Sequence, residues 1–142
     1  MNRPLRTVLL DTGPLVSFLA SRSKHFVWVN ELLKRLSPPL LTCEPVLTEA
    51  AFLLKREGGD TDALFALLDR GVMRIGMRMD QEQTDLRALM RRYRDRPMSL
   101  ADACLVRMAE LHTDAHVLTL DADFLFYRRH GNRVIPVLMP EK

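Results

Sequence analysis

Apolar positions along the chain alternate between short continuous runs and helical spacing. Val8–Leu10 is apolar throughout and predicts a short buried strand. Gly13-Pro14 then opens a helix, since proline is tolerated in a first helical turn. Lys24–Leu36 predicts a second helix, stopped by Ser37-Pro38-Pro39, and Leu40–Thr42 a second short strand. Pro45 starts a helix that runs to about Arg56 and ends at Gly58-Gly59; Thr61–Asp69 predicts another. In Val72–Met79 the residues Met73, Ile75, Met77 and Met79 alternate with Arg74, Gly76 and Arg78. Period two with one polar face predicts a strand at a sheet edge. Gln81–Arg94 predicts a polar, arginine-rich helix and Ser99–His112 an amphipathic one. His116–Leu120 predicts a strand, Phe124–His130 a short helix, and Val134–Val137 a last strand broken by Pro136.

Strands alternating with helices predict an α/β fold with a mostly parallel sheet. In such a sheet the C-terminal strand ends share one edge, and ligands bind in the crevice there. Two predicted strands end in aspartate: "VLLD" at Asp11 and "VLTLDAD" at Asp121 and Asp123. Two helices place acids at the margins of their apolar faces. Glu49 flanks the stripe set by Val46, Ala50 and Leu53, and Asp102 flanks that of Ala101 and Leu105.

Each acid also has a local explanation. Asp102 can complete a capping box with Ser99. Glu49 can sit on a solvated boundary, and Asp11 and Asp123 can cap the helices that follow them. Asp121 can be a turn residue. Convergence on one sheet edge adds what no single residue supplies. Carboxylates packed together repel unless some stay protonated, and a divalent cation removes that conflict. All-oxygen ligation selects Mg²⁺ or Mn²⁺ over zinc. Such an ion can bind a phosphodiester, activate water and stabilise the leaving oxygen. The chain has no GxSxG elbow, P-loop or GxGxxG.

Composition narrows the class. At 142 residues, with 47% hydrophobic and 27% charged positions, the chain suits one globular domain spanning residues 1–142. The net charge of +3 permits a polyanionic partner. Cys43 and Cys104 lie among apolar neighbours without CxxC spacing. They predict buried free thiols and a reducing, cytoplasmic location. Arg3 and Arg6 precede an apolar run, but Asp11, Gly13 and Pro14 interrupt it, which argues against a secretory signal. No stretch is long and apolar enough to span a bilayer, so no membrane partner is expected.

"LLDTGPLVSFL", "EPVLTEAAFLL", "RPMSLADACLVRMAE" and "VLTLDADF" resemble, in order and spacing, the motifs of PIN-domain ribonucleases of the VapC toxin type. The resemblance covers nearly the whole chain. It implies a three-layer α/β/α sandwich with a mostly parallel central sheet. It also implies Mg²⁺- or Mn²⁺-dependent endonucleolytic hydrolysis of RNA, leaving 5′-phosphate and 3′-hydroxyl ends. By motif position the catalytic acids fall on Asp11, Glu49, Asp102 and Asp121. Metal would be held chiefly by Asp11, Asp102 and Asp121, with Asp123 close by. Thr119 stands where the family often has a hydroxyl residue. Many members carry Asn or Ser after the first aspartate, where this chain has Thr12; a hydroxyl there could orient a carboxylate. The family further implies homodimers and frequent pairing with a small antitoxin protein.

"MRRYRDRP" places Arg91, Arg92, Arg94 and Arg96 around Tyr93. These arginines are candidates for phosphate contact, with Tyr93 available to stack on a base. They equally suit a solvated helix end, where cations complement the dipole. Two further readings compete with the ribonuclease. One is a non-catalytic PIN-like nucleic-acid-binding module. The other is a Mg²⁺-dependent phosphatase using Asp11 as nucleophile, for which Thr12-Gly13 is the wrong continuation of the first strand.

Overall fold

A computed structural model describes residues 7–141, so Arg3 and Arg6 lie outside the described residues. Five strands form one parallel sheet: β1 (Thr7–Leu10), β2 (Leu40–Thr42), β3 (Met73–Ile75), β4 (Ala115–Leu118) and β7 (Val137–Leu138), in the order β3-β2-β1-β4-β7. Six helices flank it: α1 (Thr12–Leu19), α2 (Phe26–Leu33), α3 (Glu44–Arg56), α4 (Asp62–Asp69), α5 (Gln83–Arg92) and α6 (Leu100–Leu111). The result is the expected three-layer α/β/α architecture. α1 packs on α2 and α3, α5 packs on α6, and α6 crosses β1 and β4.

The chain order explains where a site can form. From β1 the chain steps outward through β2 to β3, then returns to lay β4 on the other flank of β1. This reversal opens a crevice beyond the C-terminal ends of β1 and β4. Asp11 follows β1 directly, and its backbone N–H donates to the Leu118 carbonyl at the end of β4 (3.0 Å).

The central strands are short and apolar because they are covered on both faces. Leu9 and Val117 are completely buried, as are Ala103, Cys104, Leu105 and Val106 on α6. Cys43 and Cys104 are buried free thiols, as expected. At Gly76 an added Cβ would approach Met108 Cε to 3.0 Å and Leu41 Cβ to 3.1 Å, so the missing side chain lets the end of β3 close on the core.

The structure corrects three expected elements. The predicted edge strand over Val72–Met79 is at the edge but pairs only over Met73–Ile75. Its single neighbour, β2, ends at Thr42, where α3 begins, so the alternation continues without a partner. The helix predicted over Phe124–His130 is a 3-10 turn (Ala122–Leu125) followed by a hairpin of β5 (Arg128–Arg129) and β6 (Arg133–Val134). The turn of that hairpin has positive φ at His130 (50°) and Gly131 (85°), conformations no helix contains. The predicted last strand splits at Pro136: Val134 belongs to the hairpin, whereas Val137–Leu138 joins β4. Pro136 offers only its carbonyl, which accepts from Val117 N–H (2.9 Å).

Arg107 ties α6 to α5. Its Nε donates to Glu82 (2.7 Å), Nη1 to Glu110 (3.1 Å), and Nη2 lies 3.4 Å from Asp85. With the guanidinium only 20% exposed, solvent screens these contacts weakly. Arg107→Ala is expected to destabilise the protein by about 2 kcal/mol, the scale of well-formed hydrogen bonds to charged partners. Urea unfolding followed by circular dichroism measures it; an unchanged midpoint would make the cluster energetically idle.

Candidate active site

The acid that ends β1 is buried, and its hydrogen bonds fix it. Asp11 Oδ1 accepts from Thr12 N–H (2.7 Å), capping α1, and Oδ2 accepts from the Thr119 hydroxyl (2.7 Å). Thr119 is fully buried just beyond β4, and its oxygen also accepts from Asp121 N–H (2.9 Å). One hydroxyl therefore links the carboxylate at the end of β1 to the turn after β4. Thr12 turns its own hydroxyl to Glu49 Oε2 (3.0 Å), joining the first turn of α1 to α3. Gly13 belongs to this closure: a Cβ there would meet Leu120 side-chain atoms at 3.2–3.3 Å.

Asp102 enters from α6. The capping box is present: Ser99 Oγ accepts from Asp102 N–H (3.0 Å), and Asp102 Oδ2 accepts from Ser99 N–H (3.2 Å). The same Oδ2 accepts from the buried Tyr127 hydroxyl (3.1 Å). The capping role and the site-facing role therefore belong to one residue. Tyr127 was invisible to the periodicity, which assigned it to a helix. Its partner lies 25 residues upstream, so no local pattern signals the contact. Edge-to-face packing against Phe124 and Tyr93, with centroids 5.2 and 5.1 Å away, holds the ring.

Asp11, Glu49, Asp102 and Asp121 line one open cleft of about 580 Å³, with Thr12, Gly13, Leu53, Pro97, Ser99, Leu120 and Ala122. Asp123 does not line it. Its N–H donates to Asp121 Oδ1 (2.9 Å), and it serves the 3-10 turn. Burial pushes the Asp11 carboxyl up to about 6; the Thr119 and Thr12 hydrogen bonds oppose that rise, and the charges of Asp102 and Asp121 add to it. Asp102 is raised chiefly by burial, against the hydrogen bonds from Ser99 and Tyr127, with the Asp121 charge adding. Neighbouring carboxylate charge thus adds to burial at both Asp11 and Asp102.

The donor chemistry fits a hard divalent cation, because every candidate ligand is an oxygen and nearby negative charge raises both Asp11 and Asp102. Among the described residues, however, no three His, Cys, Asp or Glu side chains are gathered closely enough to form a ready-made cage.

The chain matches the PIN domain family over residues 8–129. It belongs to that family. No curated relative matches it. Among solved structures, VapC20 of Mycobacterium tuberculosis, described as a toxin that cleaves the sarcin-ricin loop, is similar in fold. It shares 20% identity at a TM-score of 0.70, with 82% of this chain and 92% of that one covered. A chain from a toxin–antitoxin complex of Klebsiella pneumoniae shares 20% identity at a TM-score of 0.66, with 96% and 99% covered. This PIN domain therefore has the α/β/α fold implied by its motifs, and the phosphatase reading is set aside.

The predicted substrate contacts lie outside the cleft lining. Arg91 and Arg92 are exposed on the last turn of α5. Tyr93, expected to offer a free stacking face, is instead packed. Tyr127 meets it edge to face, the Arg92 guanidinium lies 5.1 Å from its centroid, and its hydroxyl accepts from Arg128 N–H (2.8 Å).

Proposed function

We propose that this PIN domain is a metal-dependent endoribonuclease acting as the toxin of a toxin–antitoxin pair. The observation that carries the reading is a buried carboxylate, Asp11, at the crevice beside β1, facing Asp102 and Asp121 across one open cleft. The descriptions of the two similar structures support RNA as substrate and a protein antitoxin as partner.

Asp11, Asp102 and Asp121 would hold Mg²⁺ or Mn²⁺, with Glu49 and Asp123 acting directly or through water. When bound, such an ion lowers the pKa of an attacking water and neutralises charge developing on the phosphate. Thr119 keeps Asp11 aimed and tilts it towards the ionised form needed for ligation. Tyr127 and Ser99 hold Asp102, while Thr12 restrains Glu49.

Self-association is part of the same reading. Val27 on α2 and Phe65 on α4 leave 70% and 66% of their surfaces in solvent, which supports a homodimer through those helices. The buried free thiols support a reducing, cytoplasmic setting. Among the described residues no helix is long and apolar enough to cross a membrane.

Cleavage of structured and unstructured RNA with Mg²⁺, Mn²⁺ or chelator, followed by sequencing of the cut ends, tests the activity. Metal-dependent cuts bearing 5′-phosphate and 3′-hydroxyl ends are expected. RNA binding in Mn²⁺ without any cutting would make the chain a non-catalytic binding module. The outer arginines give a separate prediction. Arg91→Ala with Arg92→Ala should weaken RNA binding severalfold and reduce the slope of log affinity against log salt by about one to two, leaving metal binding unchanged. An unchanged slope would assign both to a solvated helix end.

A further inference from the structure

Unlike Tyr93, Phe126 stands largely in solvent, as does Phe52 on α3; of the two, Phe126 has the closer guanidinium, 4.0 Å against 5.8 Å. Two segments are involved. One is the loop after α5, whose Pro97 lines the cleft; the other is the 3-10 turn after Asp121, whose Ala122 lines it. Arg96, next in sequence to Pro97, places its guanidinium 4.0 Å from the centroid of the Phe126 ring, four residues beyond Ala122. Phe126 nevertheless keeps 55% of its surface in solvent, and the adjacent Leu125 keeps 52%.

Apolar core packing does not explain this arrangement. The aromatic core nearby is complete without it, since Phe124 and Tyr127 are fully buried and pack on each other. Phe126 lies mostly in solvent and carries a cation on its face. Arg92 and Arg94 are exposed nearby in sequence, and Arg128 is half-buried, donating to the Leu125 and Tyr127 carbonyls. Arginines outnumber the acids Asp95 and Asp123 in these two segments, which suits a polyanion. An exposed aromatic ring backed by a guanidinium matches the way single-stranded nucleic acid is held, by base stacking with phosphates near arginine.

Resting on the ribonuclease reading, we propose that Phe126, braced by Arg96, is the stacking platform for a base of single-stranded RNA flanking the phosphate that enters the acidic cleft. Phe126 binds the base, and Arg96 holds the ring and contacts the backbone. The occupant is an unpaired nucleotide, because a base held in a duplex has no free face to lay on the ring. The platform therefore favours cutting in loops over cutting in helical stems.

The test uses the full chain and a short single-stranded RNA of mixed sequence containing the fluorescent base aminopurine beside the mapped cut. Aminopurine emission should be quenched on binding to wild-type protein and to Phe126→Trp, but not to Phe126→Leu, which keeps the apolar bulk without a π-face. Phe126→Leu should raise KM about tenfold with kcat nearly unchanged, and Phe126→Trp should restore KM. Arg96→Ala should weaken binding and lower its salt slope by about one. Wild-type cleavage with KM and quenching unaltered in Phe126→Leu overturns the platform while the nuclease reading stands. So does a Phe126→Leu variant that loses only capture by an acidic protein partner. A wild-type chain that neither binds nor cuts RNA overturns both. Circular dichroism serves as the folding control, and the exposure of Phe126 makes an unaltered spectrum the expectation.

Discussion

Asp11→Asn is expected to abolish RNA cleavage and, at neutral pH without metal, to make the protein more stable than wild type. The two effects share one cause. Asp11 is buried at the strand end, and its carboxyl is raised from an ordinary 3.8 to about 6 in the folded state. An acid raised on folding holds its proton more tightly in the native chain. Its contribution to stability is therefore complete below about pH 4 and is lost as pH rises through 6. Above that the ionised, unliganded group costs about 3 kcal/mol, the free energy of a shift of this size. Asparagine carries no charge and keeps an acceptor for Thr12 or Thr119, so part of that cost disappears. The expected result is a melting temperature several degrees higher at pH 7.5 in chelator, with no gain at pH 4. Saturating Mn²⁺ should raise the wild-type melting temperature and leave the variant unmoved. Cleavage at the wild-type rate would remove Asp11 from the chemistry, and a lower melting temperature at pH 7.5 would contradict its electrostatics.

The second large effect belongs to Thr119. Thr119→Val preserves shape but deletes the 2.7 Å bond to Asp11 and the 2.9 Å acceptor for Asp121 N–H. Losing a buried hydrogen bond to a charged partner is worth about 2 kcal/mol, so cleavage should fall about 30-fold. The Thr119 bond lowers the Asp11 carboxyl, so its loss pushes that group further above 6. The acid limb of the pH–rate profile should then move to higher pH, and Thr119→Ser should bring both rate and limb back. A purely structural role would lower the melting temperature while leaving the limb in place.

Apolar runs and breakers were enough to locate β1, β2 and β4, because a parallel strand covered on both faces must be apolar and must stop at a polar turn. The acids at Asp11 and Asp121 were legible for the same reason: each breaks such a run at its C-terminal end. What the pattern could not carry was information held by distant partners. The length of β3 is set by where β2 stops, not by its own alternation. Phe124 and Tyr127 are spaced like helix neighbours, yet both are buried from a 3-10 turn and the approach to a hairpin. Tyr93, a tyrosine among arginines, is packed against Tyr127, while Phe126 stands in water under an arginine. Arg107 carries no local signal in an amphipathic helix, although it gathers three acids.

The double duty of Asp102 has an evolutionary consequence. On the ribonuclease reading, activity can be silenced through either buried aspartate, but the two routes leave different proteins behind. Loss of Asp102 removes the reciprocal cap of α6 and the acceptor of the buried Tyr127 hydroxyl, so it silences by loosening the domain. Loss of Asp11 silences while relieving a buried charge, so the inactive chain keeps its fold. On the same reading, alleles altered at Asp11 would leave a folded, inactive chain, whereas alleles altered at Asp102 would behave as simple nulls.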